Sequence, residues 1–170
     1  KRAPDSTSKT IEVRSNDLRI KNGVFEYENY NSTKEPIAPI DFNSLYLSDL
    51  NLSANSIYNF GDSLSANIDE LKFNEKSGLE LKELKGLFTM NSKEMELSEA
   101  LITTNESNVD GNILLKYKTF RDFRSFNNKV KMDIHLNPSN VEVADIAYFS
   151  NNLLGIERKI KLEGRVYGKV

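Results

Sequence analysis

The sequence predicts an all-β fold, an antiparallel sheet of about ten short strands with one or two short helices. Three observations predict it. After Val13, apolar and polar residues alternate in most segments, as they do in half-buried strands. Turn dipeptides such as Ser77-Gly78 punctuate these segments, and no long stretch has a helical period. With 38% hydrophobic residues in 170, the chain is apolar enough to fold.

The chain divides into a polar lead-in at residues 1–17 and a β-rich segment at residues 18–170. The lead-in is rich in Ser and Thr and is expected to be a linker or irregular. Within the segment, Leu18 and Ile20 alternate, and Asn22-Gly23 predicts a tight turn. The ends at Lys1 and Val170 are typical of a piece of a longer protein, in which any targeting signal or anchor would lie elsewhere.

A repeated pattern of paired apolar runs follows. Each pair consists of two short alternating runs separated by one extra residue. An extra residue reverses the side-chain alternation, so the pattern predicts a bulge or bend that returns the second run to the same face. The pairs are Leu45-x-Leu47 with Leu50-x-Leu52, Ala66-x-Ile68 with Leu71-x-Phe73, Leu79-x-Leu81 with Leu84-x-Gly86, and Met95-x-Leu97 with Ala100-x-Ile102.

Longer strands and two short helices are predicted in the remainder. The strands are centred on 109–117, 130–136 and 160–166. Phe120, Phe123 and Phe126 are three residues apart, which favours one or two helical turns that plug a core. A second short helix is predicted to hold Ile146, Phe149 and Leu153, with Pro138-Ser139-Asn140 as its capping stretch.

Composition excludes several function classes. The chain has no cysteine and therefore no disulfide or thiolate chemistry. Its net charge of −2 and lack of a basic block give no electrostatic footprint for nucleic acid. The single histidine, His135, alternates with two apolar residues and is expected on the solvent side. No catalytic, metal or phosphate-binding motif occurs, and acid pairs such as Asp69-Glu70 fit turns, so neither an enzyme nor a cofactor is expected.

The repeated apolar stripe is the remaining feature. A sheet with one apolar face must cover it with a second sheet, by closure, or with another molecule. Alternation alone leaves open a closed sandwich, which would be a scaffold, and an open trough, which would hold something equally apolar.

Ordered stretches of the sequence resemble the TamB-like proteins (translocation and assembly module subunit) of the AsmA superfamily, as found in Bacteroidota. The resemblance covers nearly all of the chain after Leu18. It rests on 47–52, 58–68 (YNFGDSLSANI), 73–81 (FNEKSGLEL), 101–111, 120–130, 143–149 (VADIAYF) and 162–168 (LEGRVYG).

The resemblance implies an incompletely closed, elongated sheet, the β-taco or repeating β-groove, with an apolar interior. Such proteins are anchored in the inner membrane, lie in the periplasm and serve phospholipid transport and outer-membrane biogenesis. Docking to an outer-membrane barrel of the BamA or TamA kind would use regions outside these residues. The expected partner here is the phospholipid acyl chain, and no nucleic acid is expected.

On this interpretation the alternating apolar residues line a groove. The expected lining is Leu45, Leu47, Leu50, Leu52, Ile68, Leu71, Phe73, Leu79, Leu81, Leu84, Met95, Leu97, Ile102, Ile113, Leu115, Val130, Met132, Ile134, Leu136, Ile160, Leu162 and Val166. Two alternatives stay open. The chain could template outer-membrane β-barrel proteins by β-augmentation on its edge, or it could be a structural β-domain with a closed core.

Overall fold

The computed structural model describes residues 11–30 and 38–169, apart from the side chains of 124–127. The described part is all-β, as predicted: eight antiparallel strands form one sheet in which each strand pairs with its neighbours in sequence. The strands are β1 (Glu12–Glu28), β2 (Ser44–Phe60), β3 (Ser63–Glu75), β4 (Glu80–Met90), β5 (Glu94–Thr103), β6 (Asn108–Lys116), β7 (Lys131–Glu142) and β8 (Lys159–Gly168).

The sheet does not close. β1 pairs only with β2 and β8 pairs only with β7, so each has one unpaired edge within the described part of the chain. The prediction of an incompletely closed antiparallel sheet is therefore confirmed.

The predicted count of about ten strands is wrong, because a bulge lets two offset runs continue as a single strand. β2 alone spans 17 residues and contains both of its predicted runs. β1 begins at Glu12, six residues before the expected start of the sheet, so 12–17 belong to a strand. The remainder of the expected lead-in, 1–10, lies outside the described residues. The predicted turn at Asn22-Gly23 is also wrong, since it is a bulge inside β1.

The bulges occur where the extra residues predict them. On β5 and β6, Leu97 pairs with Ile113 and Ala100 pairs with Gly111, so three steps on one strand match two on the other. The extra residue Glu99 has a φ of 52°. Equivalent shifts interrupt β1, β2, β3, β4 and β7, and together they form a band that crosses the middle of the sheet. Bulges bend strands, so we expect the sheet to bend along this band.

Four short helical segments lie between the later strands. A 3-10 segment (Phe120–Ser125) and α1 (Phe126–Lys129) join β6 to β7, as the three phenylalanines predict. α2 (Val143–Ala147) and a 3-10 segment (Asn151–Leu153) join β7 to β8. The expected capping stretch lies inside β7 instead, and the residue before α2 is Glu142, which makes no side-chain cap.

The sheet lacks the large core of an ordinary domain. Among the described residues, Val130 is the largest side chain that is fully buried. Most apolar strand residues are half-buried, because side chains on neighbouring strands contact them laterally while no second layer packs on top of them in the described part of the chain. All eight strands belong to one sheet, so no second sheet packs on it in the described part of the chain.

Candidate functional site: the apolar face of an open sheet

One face of the sheet, the inner face, carries the predicted apolar residues. Residues opposite each other on neighbouring antiparallel strands point to the same side. Leu52 pairs with Leu71, Leu71 with Leu84, and Leu84 with Ile102, which makes one continuous row. A second row crosses the later strands and comprises Phe88, Leu97, Ile113, Ile134 and Val166.

Small residues line the floor of this face along the bulge band. Gly86, Ala100 and Gly111 follow one another across β4, β5 and β6, and Ala100 is only 1% exposed. A Cβ atom on Gly86 would lie 2.8 Å from the carbonyl oxygen of Ser98. The backbones therefore approach too closely for larger side chains at the floor. Larger apolar residues lie on both sides of this floor along each strand, such as Leu97 and Ile102 on β5. We call this face the trough.

The two margins of the trough are formed by turns. The first rim comprises the connections after β1, β3, β5 and β7, and the second rim comprises those after β2, β4 and β6. α2 and the loop 38–42 lie along the first rim. There Ile40 donates a backbone hydrogen bond to the carbonyl of Tyr148 at 3.1 Å, and Phe42 stacks on Phe149 with ring centroids 6.5 Å apart.

This helical cover, residues 38–42 with α2, buries a small cluster of apolar residues. Its buried members are Ala38, Ile40, Val141, Val143 and Ala147, together with Leu79 just before β4 and Leu81 within it. The cover therefore shields part of the inner face near the first rim.

Asp145 fixes the helical cover to the sheet. Its Oδ2 accepts hydrogen bonds from the hydroxyls of Thr104 at 2.5 Å and Ser107 at 2.6 Å, and from the amide of Glu106 at 3.3 Å. All three donors belong to the turn between β5 and β6. Because Asp145 is buried, these hydrogen bonds are needed to offset its desolvation.

The second rim carries a smaller plug. Tyr117 is buried, and its hydroxyl donates a hydrogen bond to the carbonyl of Asn91 at 2.7 Å. The rings of Phe120 and Phe123 pack on it, with centroids 5.2 Å and 4.9 Å away. Burial raises the pKa of the Tyr117 phenol. The plug therefore joins the turn from β6 to β7 with the turn from β4 to β5.

The opposite, outer face is polar and charged. Ion pairs join residues two apart on one strand, such as Lys72 to Glu70 at 3.1 Å. Across strands, Arg165 makes two hydrogen bonds to Asp133 at 2.7 Å each, and they hold the pKa of that carboxyl below its ordinary value. His135 lies beside Asp133 and is about half exposed, so its expected position on the solvent side is confirmed.

The structure brings the predicted groove residues together. Those that lie within strands, from Leu45 on β2 to Val166 on β8, are all on the inner face. Leu79 and Val130 immediately precede strands and are buried. Ile160 and Val166, on the last strand, are exposed.

Sequence reasoning missed several residues of the same face. Ile20, Phe25 and Tyr27 extend it across β1, while Phe88 and Met90 extend it along β4. Continuing the alternation through each strand would have found them.

No group of three or more histidine, aspartate or glutamate side chains suited to a metal ion occurs among the described residues. No helix in the described ranges is long and apolar enough to cross a membrane. The two apolar rows make the inner face a continuous surface for apolar contact. That surface runs from one unpaired sheet edge to the other.

Comparison of the chain with protein-family models, curated proteins and solved structures finds no match. The resemblance to TamB-like proteins therefore remains a prediction from the sequence.

Proposed function

We propose that this chain is a segment of a hydrophobic groove that shields phospholipid acyl chains on their way through the periplasm to the outer membrane. On this proposal it belongs to a protein anchored in the inner membrane. The observation that carries the proposal is the continuous apolar inner face of a sheet that neither closes nor packs on a second sheet within the described residues.

The energetics of acyl chains suit such a surface. Exposing a lipid tail to water costs about 0.8 kcal/mol per CH₂, so a tail of about sixteen carbons needs an unbroken apolar path. The row from Leu97 through Ile113 to Ile134 crosses strands about 4.8 Å apart and supplies part of that path. Because the contacts are apolar, they hold the tail at no fixed place. Movement along the groove needs no catalytic residue.

The length of the sheet supports a role as one segment of a longer path. Eight strands stacked at about 4.8 Å extend for roughly 35–40 Å. This is enough to cover one extended tail but too short to join two membranes. The unpaired edges of β1 and β8 offer backbone groups on which further strands could continue the groove.

The test is to identify lipid that remains bound to the purified chain by native mass spectrometry. The proposal predicts co-purified phospholipid in the wild type and its loss in Leu97→Asp and Ile113→Asp. Leu87→Asp is the matched control, because Leu87 is 41% exposed on the outer face and pairs with the neutral residues Asn67 and Ser98. Lipid-free wild type with a folded sheet would overturn the proposal, as would equal lipid loss in the control.

The unpaired strand edges favour a second candidate function, the templating of outer-membrane β-barrel strands by β-augmentation. On β8, Val166 is 53% exposed beside an edge with no partner strand. A nascent strand could add there by backbone hydrogen bonding. Crosslinkers placed on β8 would then trap barrel precursors, whereas crosslinkers at Ile113 would not.

A further inference from the structure

The two unpaired edges of the sheet run in opposite directions. β1 runs from the second rim to the first rim, and β8 runs from the first rim to the second, because the eight antiparallel strands alternate in direction. A second copy of the chain, placed beside the first in the same orientation, would therefore bring its β1 antiparallel to β8. The inner face and both rims would then continue from one copy to the next.

Both edge strands leave apolar side chains of the inner face exposed. On β1, Phe25 is 45% exposed and Tyr27 is 43% exposed, while on β8 Ile160 is 39% exposed and Val166 is 53% exposed. Inner-face residues of the central strands, such as Ile113, are half-buried between their neighbours. A further strand at each edge would give the edge residues the same lateral contacts and would pair their backbone groups.

The outer faces of the two edges carry opposite charges at the first rim. β1 ends with Glu26 and Glu28 on this face, and β8 begins with Lys159 and Lys161. Glu28 accepts a hydrogen bond from a serine of β2, and Lys159 pairs with Glu106 at 3.0 Å, so these two already have partners. Glu26 and Lys161 are exposed and have no ion pair among the described residues.

One antiparallel register of β8 against β1 matches both faces of the sheet. It is fixed by placing Lys161 opposite Glu26, which also places Lys159 opposite Glu28. Opposite charges directly across two strands stabilise their pairing. The same register joins apolar residues or glycines on the inner face: Ile160 with Tyr27, Leu162 with Phe25, Gly164 with Gly23 and, past the bulge of β1, Val166 with Ile20.

The bulge of β1 fits this register. Ile20 and Gly23 are three residues apart, yet their partners on β2 are two residues apart. On β8, Gly164 and Val166 are also two residues apart and can take the same place beside the bulge. The two glycines would then continue the floor of small residues from one copy to the next.

The register also brings one like-charged pair together, Lys21 and Arg165, at the bulge. Arg165 is compensated within its own sheet, because it donates two hydrogen bonds of 2.7 Å to Asp133. Lys21 is exposed to solvent, where repulsion between like charges is screened. The register therefore gains two opposite-charge pairs for one screened like-charge pair.

Pairing of like edges matches less well. Two antiparallel β1 strands would bring the apolar half of one strand, 23–27, opposite the largely polar half of the other, 12–17. Two β8 strands would set basic residues opposite each other in every register that overlaps most of the strand. This follows because β8 and the residue after it hold one acid, Glu163, among the basic residues Lys159, Lys161, Arg165 and Lys169.

We propose that β8 of one copy pairs with β1 of a second copy, so that the chain assembles head to tail into an extended sheet with one continuous trough. Because the contact joins two different edges, it is heterologous and leaves a free β1 and a free β8 at the ends of every assembly. Assembly therefore continues beyond a dimer. The inference goes beyond the proposed function and does not depend on it, since strand pairing needs no lipid.

The test is sedimentation velocity of the full chain at increasing concentration. The wild type is expected to form oligomers larger than a dimer. Glu26→Lys and Lys161→Glu should each raise the dissociation constant about tenfold at low salt, because each sets like charges opposite each other. The double variant Glu26→Lys/Lys161→Glu exchanges the two charges and should regain the association of the wild type.

Two further variants control for net charge and report the register. Glu96→Lys makes the same change of charge on the outer face of the central strand β5, where Glu96 pairs with Thr89 and Leu114, and should leave association unchanged. Tyr27→Cys/Ile160→Cys places one cysteine on each edge. The two edges lie at opposite ends of one sheet, so oxidation should join different copies and give a ladder of covalent oligomers.

Several results would overturn the head-to-tail contact. A wild type that stays monomeric at every concentration would do so, as would one that stops at a dimer. Weakening by only one of the two charge reversals would indicate pairing of β1 with β1 or of β8 with β8. A double variant that associates no better than the single variants, or a cysteine pair that gives no ladder, would contradict the register. None of these results bears on lipid binding, which native mass spectrometry tests separately.

Discussion

A Cβ atom on Gly111 would lie 2.1 Å from the carbonyl oxygen of His135 on the neighbouring strand. Gly111 also has a φ of 157°. Strands β6 and β7 therefore meet at the floor of the trough more closely than any other residue type permits. This approach occurs in the band of bulges, where the sheet bends, so the shape of the trough depends on the absence of a side chain here.

Gly111→Ala is expected to destabilise the fold by at least about 3 kcal/mol, because β6 and β7 must part to admit the methyl group. Gly164→Ala is the matched control. Gly164 has a φ of 122° but nothing within 4 Å of its Cβ position, so its cost should be about 1–2 kcal/mol from the backbone alone. Urea unfolding measures both. Equal losses would show that the close approach does not matter.

Asp145→Ala is expected to release the helical cover while the sheet stays folded. Three hydrogen bonds to the turn between β5 and β6 would be lost, and the donors Thr104 and Ser107 would need new partners. The expected cost is about 2–3 kcal/mol. Hydrogen exchange should quicken over 143–149 while the amides of β5 stay protected.

A conservative variant provides the control for that experiment. Asp145→Asn keeps an acceptor oxygen of the same size but loses the charge, so exchange should rise less than in the alanine variant. Unchanged exchange in both variants would mean that burial alone holds the cover, and that the Asp145 contacts contribute nothing.

Acid should weaken the plug on the second rim through Asp122. Its Oδ2 accepts backbone hydrogen bonds from Thr119 at 3.0 Å and Lys118 at 2.8 Å, which hold the pKa of the carboxyl below its ordinary value. A folded-state pKa below the unfolded value means that this stabilisation is complete above about pH 4 and is lost as pH falls through the lower folded pKa.

The comparison is with Asp122→Asn, which has no charge to lose. Urea unfolding of both proteins from pH 6 down to pH 2 should show their stabilities converging below pH 4. A constant difference across this range would rule out the ionised carboxylate as the source of the stabilisation.

Lys131→Glu is expected to stabilise the free protein, because it replaces a like-charge pair with an opposite-charge pair to Lys116. The gain should be about 0.2–1 kcal/mol and should shrink in high salt. Thermal unfolding measures it, with Lys131→Gln as an intermediate. Destabilisation by the glutamate would show that the two ammonium groups do not repel each other.

The sequence predicted the positions of the strands and their shared apolar face well. The extra residue between Leu97 and Ala100 requires a bulge if both residues are to lie on the same face, and the register shows that bulge. It predicted the number of strands poorly. A bulge with a positive φ, as at Asn22, has the same residue signature as a hairpin turn.

The helical cover and the opposition of Lys116 and Lys131 could not be predicted from local patterns. The contact between Asp145 and Ser107 joins residues 38 positions apart, and nothing near Asp145 in the sequence identifies its donors. Likewise, Lys116 and Lys131 are separated by the segment that forms the plug. Their opposition depends on the strand register, which appears only once β6 and β7 pair.

Whether the inner face admits an acyl chain is tested most directly by spin-label contact with lipid. The chain has no cysteine, so a single introduced cysteine takes one spin label at a chosen position. Ile134→Cys places the label on the inner face, and His135→Cys places it on the outer face. Phospholipid carrying a nitroxide midway along its acyl chain is then added, and paramagnetic broadening is recorded. Acyl-chain binding on the inner face should give strong broadening at position 134 and little at 135. Equal broadening at the two positions, or none at 134 in the folded protein, would rule it out.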